Sequence, residues 1–327
     1  MKVLVTGANG FIGRATCAEL ARRGHDVVAA VRRIESARDI PCARAIAVGP
    51  IGPATDWRAA LDGIEAVVHA AAMAHSVTRK SASEESDIFA VNAAGTRALA
   101  EAARGAGVRR LIFLSTVKVL GETTGGRVPF SEIDPPNPDS GDAYARAKAE
   151  AETALAAIAR APLEVVVLRL PLVYGPGVKA NFAALIRLAR SAPPLPLASV
   201  ANRRSLLFLG NLTDAIVLAL RHPGAAGETF MVGDGETVST PELIRKIAGF
   251  VGRPARLFSF PPPLLRLAAT LLGQGDRARR LLDSLELDDR KIRDQLGWQP
   301  PFSLDQGLAL TLRPPATDRP RQETPSA

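Results

Sequence analysis

Short β-branched runs that alternate with longer alanine- and leucine-rich stretches, and a glycine-spaced turn directly after the first run, predict an α/β fold built on a doubly wound parallel sheet. The runs are KVLV, DVVAAV, ARAIAV, EAVVHAAA, RLIFLS and EVVVLRL, and helical stretches such as FIGRATCAELARR and SDIFAVNAAGTRALAEAARGA stand between most of them. Continuous apolar runs, rather than alternating ones, mark strands covered by helices on both faces. From about Tyr174 the rhythm gives way to glycine- and proline-rich loops (YGPGVKANF, SAPPLPL) and irregular helices, which predicts a smaller C-terminal α/β region. SLLFLGNLTDAIVLAL and ETFMVGDG read as pieces that return to the main sheet.

The first strand runs into TGANGFIG. Gly7 would end the strand in a tight turn, Gly10 would let the backbone approach a bound group, and Gly13 would let the next helix pack closely, so that amides at the helix start face a pyrophosphate. A glycine triplet alone is an ordinary turn. Between a strand and a helix it points to a dinucleotide site on a Rossmann-type sheet. The second strand bears on which dinucleotide. An acidic residue at its end would bind the ribose 2′-hydroxyl of NAD, but DVVAAVRR places Val31 there, followed by Arg32 and Arg33. A guanidinium suits a 2′-phosphate, which favours NADP(H) with NAD(H) still possible. The plainer reading of the two arginines is a solvated helix start.

The fifth run, LIFLSTVKVLGE, delivers Ser115 and Thr116 to the carboxyl end of a strand, where open α/β sheets bind ligands. Farther on, GDAYARAKAEAE sets Tyr144 and Lys148 one helical turn apart and on one face. An ammonium near a phenol stabilises the phenolate, which would bring Tyr144 from its usual pKa of about 10 toward acid–base use. Either feature alone has a bland explanation, a surface pair or a strand-end turn. Together they suggest a hydroxyl that orients a carbonyl and a tyrosine that moves its proton.

TGANGFIG, His69 to Ala72 (HAAA), Asn92, the Ser115–Thr116 strand, Tyr144-x-x-x-Lys148 and RLPLVYGPG together resemble the extended short-chain dehydrogenase/reductase family of nucleotide-sugar epimerases, dehydratases and reductases, to about residue 312. The family's Ser-x-x-x-Tyr-Gly segment aligns its catalytic hydroxyl with Thr116, leaving Ser115 as second choice, and its tyrosine with Leu120, a departure. VGPIGPATDW is a second departure, where the family commonly has an acidic residue after its third strand to meet adenine. The resemblance implies that Gly7, Asn9, Gly10, Phe11, Ile12 and Gly13 hold the pyrophosphate, that Ala70, Ala71 and Ala72 line the cofactor, and that Asn92 supports the site. It further implies that Lys148 holds the nicotinamide ribose, that Asn181 and Arg204 grip a UDP-sugar diphosphate, and that the protein is a homodimer. His75, in the AMAHSVTRK loop, reads as a plain loop histidine, with contact to substrate as the alternative. The LSTVKVLGE, PLVYGPGVKANF, NRRSLLFLGNL and MVGDGETVSTPELIRK segments look most like a branch found with bacterial surface-polysaccharide synthesis, whose members include 4-reductases of UDP-4-keto-6-deoxy-N-acetylhexosamines. Reduction at carbon 4 is the leading expectation; a UDP-hexose 4-epimerase and a catalytically silent NADP-sensing protein are the alternatives. The implied division is a dinucleotide domain over 1–172 and about 205–238, a substrate region over about 173–204 and 239–312, and a disordered tail over 313–327.

Composition narrows the remaining classes. The chain has 327 residues, 47% of them hydrophobic, with no apolar run long enough to span a membrane and no signal peptide, so a cytoplasmic location is expected. Cys17 and Cys42 have no companions that suggest a disulfide or a metal site. The formal charge of +8 is scattered arginine without interleaved aromatics, which argues against nucleic acid as a partner. PPPLLRLAATLLG is too short to cross a bilayer and reads as a buried amphipathic helix, with a membrane-surface helix as the alternative.

Overall fold

The computed structural model describes residues 1–73, 82–126, 128–137 and 140–313, apart from the side chains of 276 and 277. His75 and the 314–327 part of the expected tail lie outside the described residues.

The first half of the chain runs β1 (Lys2–Thr6), α1 (Phe11–Arg22), β2 (Asp26–Val31), β3 (Arg44–Ala47), α2 (Arg58–Leu61), β4 (Ala66–His69), α3 (Ala82–Phe89), α4 (Gly95–Gly105), β5 (Arg110–Thr116) and α5 (Ala143–Ile158). The second half runs β6 (Glu164–Leu170), β7 (Leu172–Tyr174), α6 (Ala180–Ser191), β8 (Arg204–Phe208), α7 (Leu209–Arg221), β9 (Thr229–Met231), β10 (Thr237–Val238), α8 (Thr240–Phe250), α9 (Pro262–Leu271), α10 (Gly275–Leu282), α11 (Arg290–Leu296) and α12 (Leu304–Leu312). Seven strands form one sheet in the order β3-β2-β1-β4-β5-β6-β9, every pairing parallel.

Successive side chains of a strand point to opposite faces, and the two apolar clusters sort accordingly. Val3, Val5, Val68, Ile112, Leu114 and Val166 pack with Leu20 of α1 and Leu212, Ile216 and Leu220 of α7. Leu4, Val28, Val67, Leu111, Phe113 and Val165 pack with Leu99 and Ala103 of α4 and with Ala151 and Leu155 of α5. Burial on both faces explains why the strand sequences are continuous apolar runs. Order reverses at β1, with β2 on one side and β4 on the other, so the crevice at their carboxyl ends is the topological switch point where such sheets bind ligands.

A second sheet, β10-β8-β7, is covered by α6, α8 and α12 through Phe182, Ile247, Leu304 and Leu308. ETFMVGDG does return to the main sheet as β9. SLLFL does not: β8 pairs with β7 and β10, and only the α7 that follows packs on the main sheet. The strand and helix of one apolar stretch thus serve two different layers, a split that periodicity cannot show. The expected burial of PPPLLRLAATLLG is also corrected. No residue of α9 is buried, because its inward contacts come from a few positions such as Leu265 while the remaining leucines face outward.

Candidate active site

The glycine turn forms because no other residue fits it. Gly7 has φ +63°, and a Cβ there would lie 2.7 Å from the backbone of Ala71. A Cβ on Gly13 would lie 2.1 Å from the Gly7 carbonyl oxygen, so the third glycine lets α1 begin directly against the turn itself. Gly10 is the N-cap of α1 and offers no side-chain cap, so the first-turn amides of Phe11, Ile12 and Gly13, beside exposed Asn9, lack intrahelical acceptors. A pyrophosphate suits that cradle, and the cleft fits a dinucleotide on this ground.

The opposite wall is the segment after β4. Ala71 N–H donates to Thr6 Oγ1 at 3.3 Å. Asn92, buried in a π-helical turn between α3 and α4, accepts from the Met73 amide at 2.8 Å and donates to the Met73 carbonyl at 2.7 Å, which pins the strip holding Ala70, Ala71 and Ala72. His69 joins the two walls, with Nδ1 2.6 Å from Thr6 Oγ1 and Nε2 2.9 Å from Thr96 Oγ1. Burial, and then the Lys148 charge, push His69 down to about 3, so it is a neutral strut.

Ser115 and Thr116 part company at the end of β5. Ser115 Oγ donates to Glu152 Oε1 at 2.5 Å, and Glu152 is bridged to Arg169 at 2.8 Å, a buried cluster linking α5, β5 and β6. Thr116 caps a short 3-10 turn, accepting from Lys118 N–H at 3.3 Å, and among the described residues its own proton goes to no acceptor. Lys118 Nζ bonds Asp142 Oδ2 at 2.7 Å, and Asp142 Oδ1 accepts from Tyr144 N–H at 3.0 Å as the N-cap of α5. The turn carrying Thr116 is thereby tied to the helix end carrying Tyr144.

Lys148 is buried, donates to the Leu114 carbonyl at 2.8 Å, and lies 4.3 Å from the centre of the Phe113 ring and 5.9 Å from that of Tyr144. Burial lowers it to about 7, against an opposing pull from the Glu152 carboxylate one turn farther along α5. Tyr144 is raised to about 12, by burial first and by Asp142 second, opposite to the expected direction. The ammonium is engaged with Leu114 rather than with the phenol, so desolvation of the phenolate prevails. Glu152 and Arg169 escaped the sequence reading, although Tyr144, Lys148 and Glu152 follow one i, i+4, i+8 stripe.

Arg32 and Arg33 leave the end of β2 exposed, beside the glycine turn, and among the described residues neither guanidinium has a hydrogen bond or ion pair. Asn181 is exposed in the first turn of α6. Arg204 is half-buried at the start of β8 and donates to the carbonyls of Arg280 at 2.8 Å and Asp283 at 3.2 Å, so this guanidinium already braces the end of α10. Among the described residues no three His, Cys, Asp or Glu side chains are grouped to hold a metal.

The model of the NAD dependent epimerase/dehydratase family matches residues 3–233. The chain belongs to that family. It is 39% identical over 312 residues to a UDP-glucose 4-epimerase of Vibrio cholerae, covering 94% of each protein. It is also 30% identical to a 2-alkyl-3-oxoalkanoate reductase of Stenotrophomonas maltophilia, over 94% of this chain and 97% of that protein. Among solved structures, MoeE5 in complex with UDP-glucuronic acid and NAD superposes with a TM-score of 0.75 at 29% identity, covering 95% of this chain and 97% of that one. The chain is therefore an NAD(P)-dependent oxidoreductase or epimerase of the extended short-chain type on a Rossmann-like sheet.

Proposed function

We propose that the protein is an NADP(H)-dependent reductase acting at carbon 4 of a UDP-linked 4-keto sugar, of the UDP-4-keto-6-deoxy-N-acetylhexosamine class. The observation that carries the reductive direction is the end of β2, where two exposed arginines, unpaired among the described residues, stand in place of a carboxylate. A 2′-phosphate matches their forked donors. A reduced nicotinamide in the cleft would supply the hydride. Thr116, whose proton has no acceptor among the described residues, donates to the carbonyl oxygen and orients it. Tyr144 gives its proton to the same oxygen as charge develops there, and Lys148 leaves the Leu114 carbonyl to steady the ribose and favour the phenolate left behind. Ser115 takes no part, because Glu152 holds its hydroxyl. Asn181 on α6 and Arg204 on β8 are assigned to the diphosphate, Arg204 by turning from its carbonyls.

A second reading, a UDP-hexose 4-epimerase with retained NAD, is favoured by the Vibrio cholerae relative. The two share Thr116, Tyr144 and Lys148 and differ in net reaction. Purified protein given NADPH with a panel of UDP-hexoses and UDP-4-keto sugars should consume NADPH only with a keto sugar and yield its 4-hydroxy product. Interconversion of UDP-glucose and UDP-galactose without NADPH oxidation would replace the reductase with the epimerase.

A further inference from the structure

The α9–α10 hairpin presents a surface that the chemistry above does not use. Leu264, Leu267 and Leu271 follow an i, i+3, i+7 stripe and, with Leu272, are 53%, 57%, 79% and 75% exposed in that order. Phe258, just before α9, is 48% exposed. The helix is not loosely attached: Leu265 faces inward with Ala278, Leu281 and Leu282 of α10 and with Leu197 and Ile244. The outward leucines thus belong to a fixed element with an apolar outer face, which is unusual for a surface that meets only water.

The charge beside that face is net positive. Residues 262–283 contain four arginines and two aspartates. Arg279 and Arg280 are exposed on α10, and Arg266 is on α9, bridged to Asp283 at 2.5 Å. Between the two helices is a hollow of about 340 Å³ lined by Arg266, Thr270, Gly275, Ala278 and Arg279, large enough for a phosphate group. A second copy of the chain on this face would bring like guanidinium groups together. An anionic lipid surface would meet both features at once, acyl chains against the leucines and phosphates against the arginines.

We propose that the α9–α10 hairpin docks the protein on an anionic membrane surface, with Leu264, Leu267, Leu271 and Leu272 entering the headgroup boundary and the arginine-lined hollow receiving a lipid phosphate. Neither half suffices alone. A ten-residue helix inserts too little apolar area to anchor a protein, and a few arginines are screened at physiological salt. Each net positive charge near such a surface is worth roughly fivefold in binding, so the two of this hairpin give roughly a 25-fold preference for anionic over neutral lipid.

The test is sedimentation of the full-length protein with phosphatidylcholine vesicles with or without phosphatidylglycerol, at low and physiological salt. Wild type should pellet with the anionic vesicles alone, less so as salt rises. Leu267→Glu with Leu271→Glu, and separately Arg279→Gln with Arg280→Gln, should each weaken binding at least about tenfold while circular dichroism and turnover in solution stay unchanged. Equal binding to neutral vesicles, no binding to either, or wild-type binding by the leucine variant would overturn the proposal. So would vesicle retention that inorganic phosphate abolishes and the leucine changes do not, which would make the hollow a soluble-phosphate site. A self-association broken by the leucine variant, without vesicle binding, would assign the face to a second copy and equally overturn it.

Discussion

Replacing Glu152 with glutamine removes one charge from a pair that water barely reaches. The Glu152 and Arg169 side chains are 10% and 7% exposed and meet at 2.8 Å, with further contacts of 3.2 and 3.3 Å from Arg169 Nε. With charge centres about 4 Å apart and an effective dielectric near 20, the attraction is about 4 kcal/mol, and orphaning one member of a buried pair typically costs about 3–5 kcal/mol. The glutamine oxygen can still accept from Ser115, which retains about 1 kcal/mol. Glu152→Gln should therefore lower the unfolding free energy by about 3 kcal/mol in urea titrations near neutral pH, with unchanged slope. Glu152→Leu combined with Arg169→Leu should lose less than the single change, because no charge is left unpaired. Loss of the carboxylate also removes the pull that opposes burial at Lys148, so the alkaline limb of kcat/KM should move to lower pH. A single-variant loss below about 1 kcal/mol would refute the reasoning, since it would mean that water reaches the pair.

Tyr144→Phe and Thr116→Val should each cost at least about 10²-fold in turnover, whereas Ser115→Ala should keep turnover within about threefold and lose about 1 kcal/mol of stability. The reverse ranking of the two hydroxyls in steady-state kinetics would transfer the role to Ser115. Changing Arg32 and Arg33 together to serine should weaken NADPH binding by at least about tenfold per lost phosphate contact and leave NADH binding nearly unchanged. Calorimetry showing equal losses for both cofactors would remove the arginines from the 2′ position. His69 titrates at about 3 in the folded chain against 6.5 when exposed, so the unfolded state binds the extra proton as pH falls between those values. Its share of stability is fully present above 6.5 and is lost on acidification by about 1.4 kcal/mol per pH unit; His69→Gln should flatten that fall relative to wild type, and parallel curves would contradict it.

Much of this was written in the strands. Doubly buried runs announce a parallel sheet, and Gly7 and Gly13 stand where a Cβ would strike backbone, so their spacing carries the turn directly. Tyr144 and Lys148 were legible because one helical turn fixes their common face. Glu152 lies on the same stripe, yet its partner Arg169 is on another element, and only the β5–β6 pairing that sets Ser115 opposite Arg169 brings the cluster together. The choice between Ser115 and Thr116 was likewise beyond the sequence, since it depends on which hydroxyl a carboxylate from α5 captures. The direction of the Tyr144 shift was misjudged because spacing shows that Lys148 is near but not that a strand carbonyl has engaged it. β8 and α9 misled for a related reason: apolar content says that a segment seeks cover, and the tertiary arrangement decides which layer supplies it, or whether any does.

In the proposed reduction, hydride passes from an added reduced cofactor to carbon 4 and stays there. NADPH carrying deuterium at the transferred position, incubated with the protein and a UDP-4-keto-6-deoxy-N-acetylhexosamine, tests this by mass spectrometry and proton NMR of the product. One deuterium at carbon 4 and one NADPH oxidised per sugar formed are expected. A UDP-hexose epimerised at carbon 4 with no deuterium gained and no NADPH consumed would contradict it.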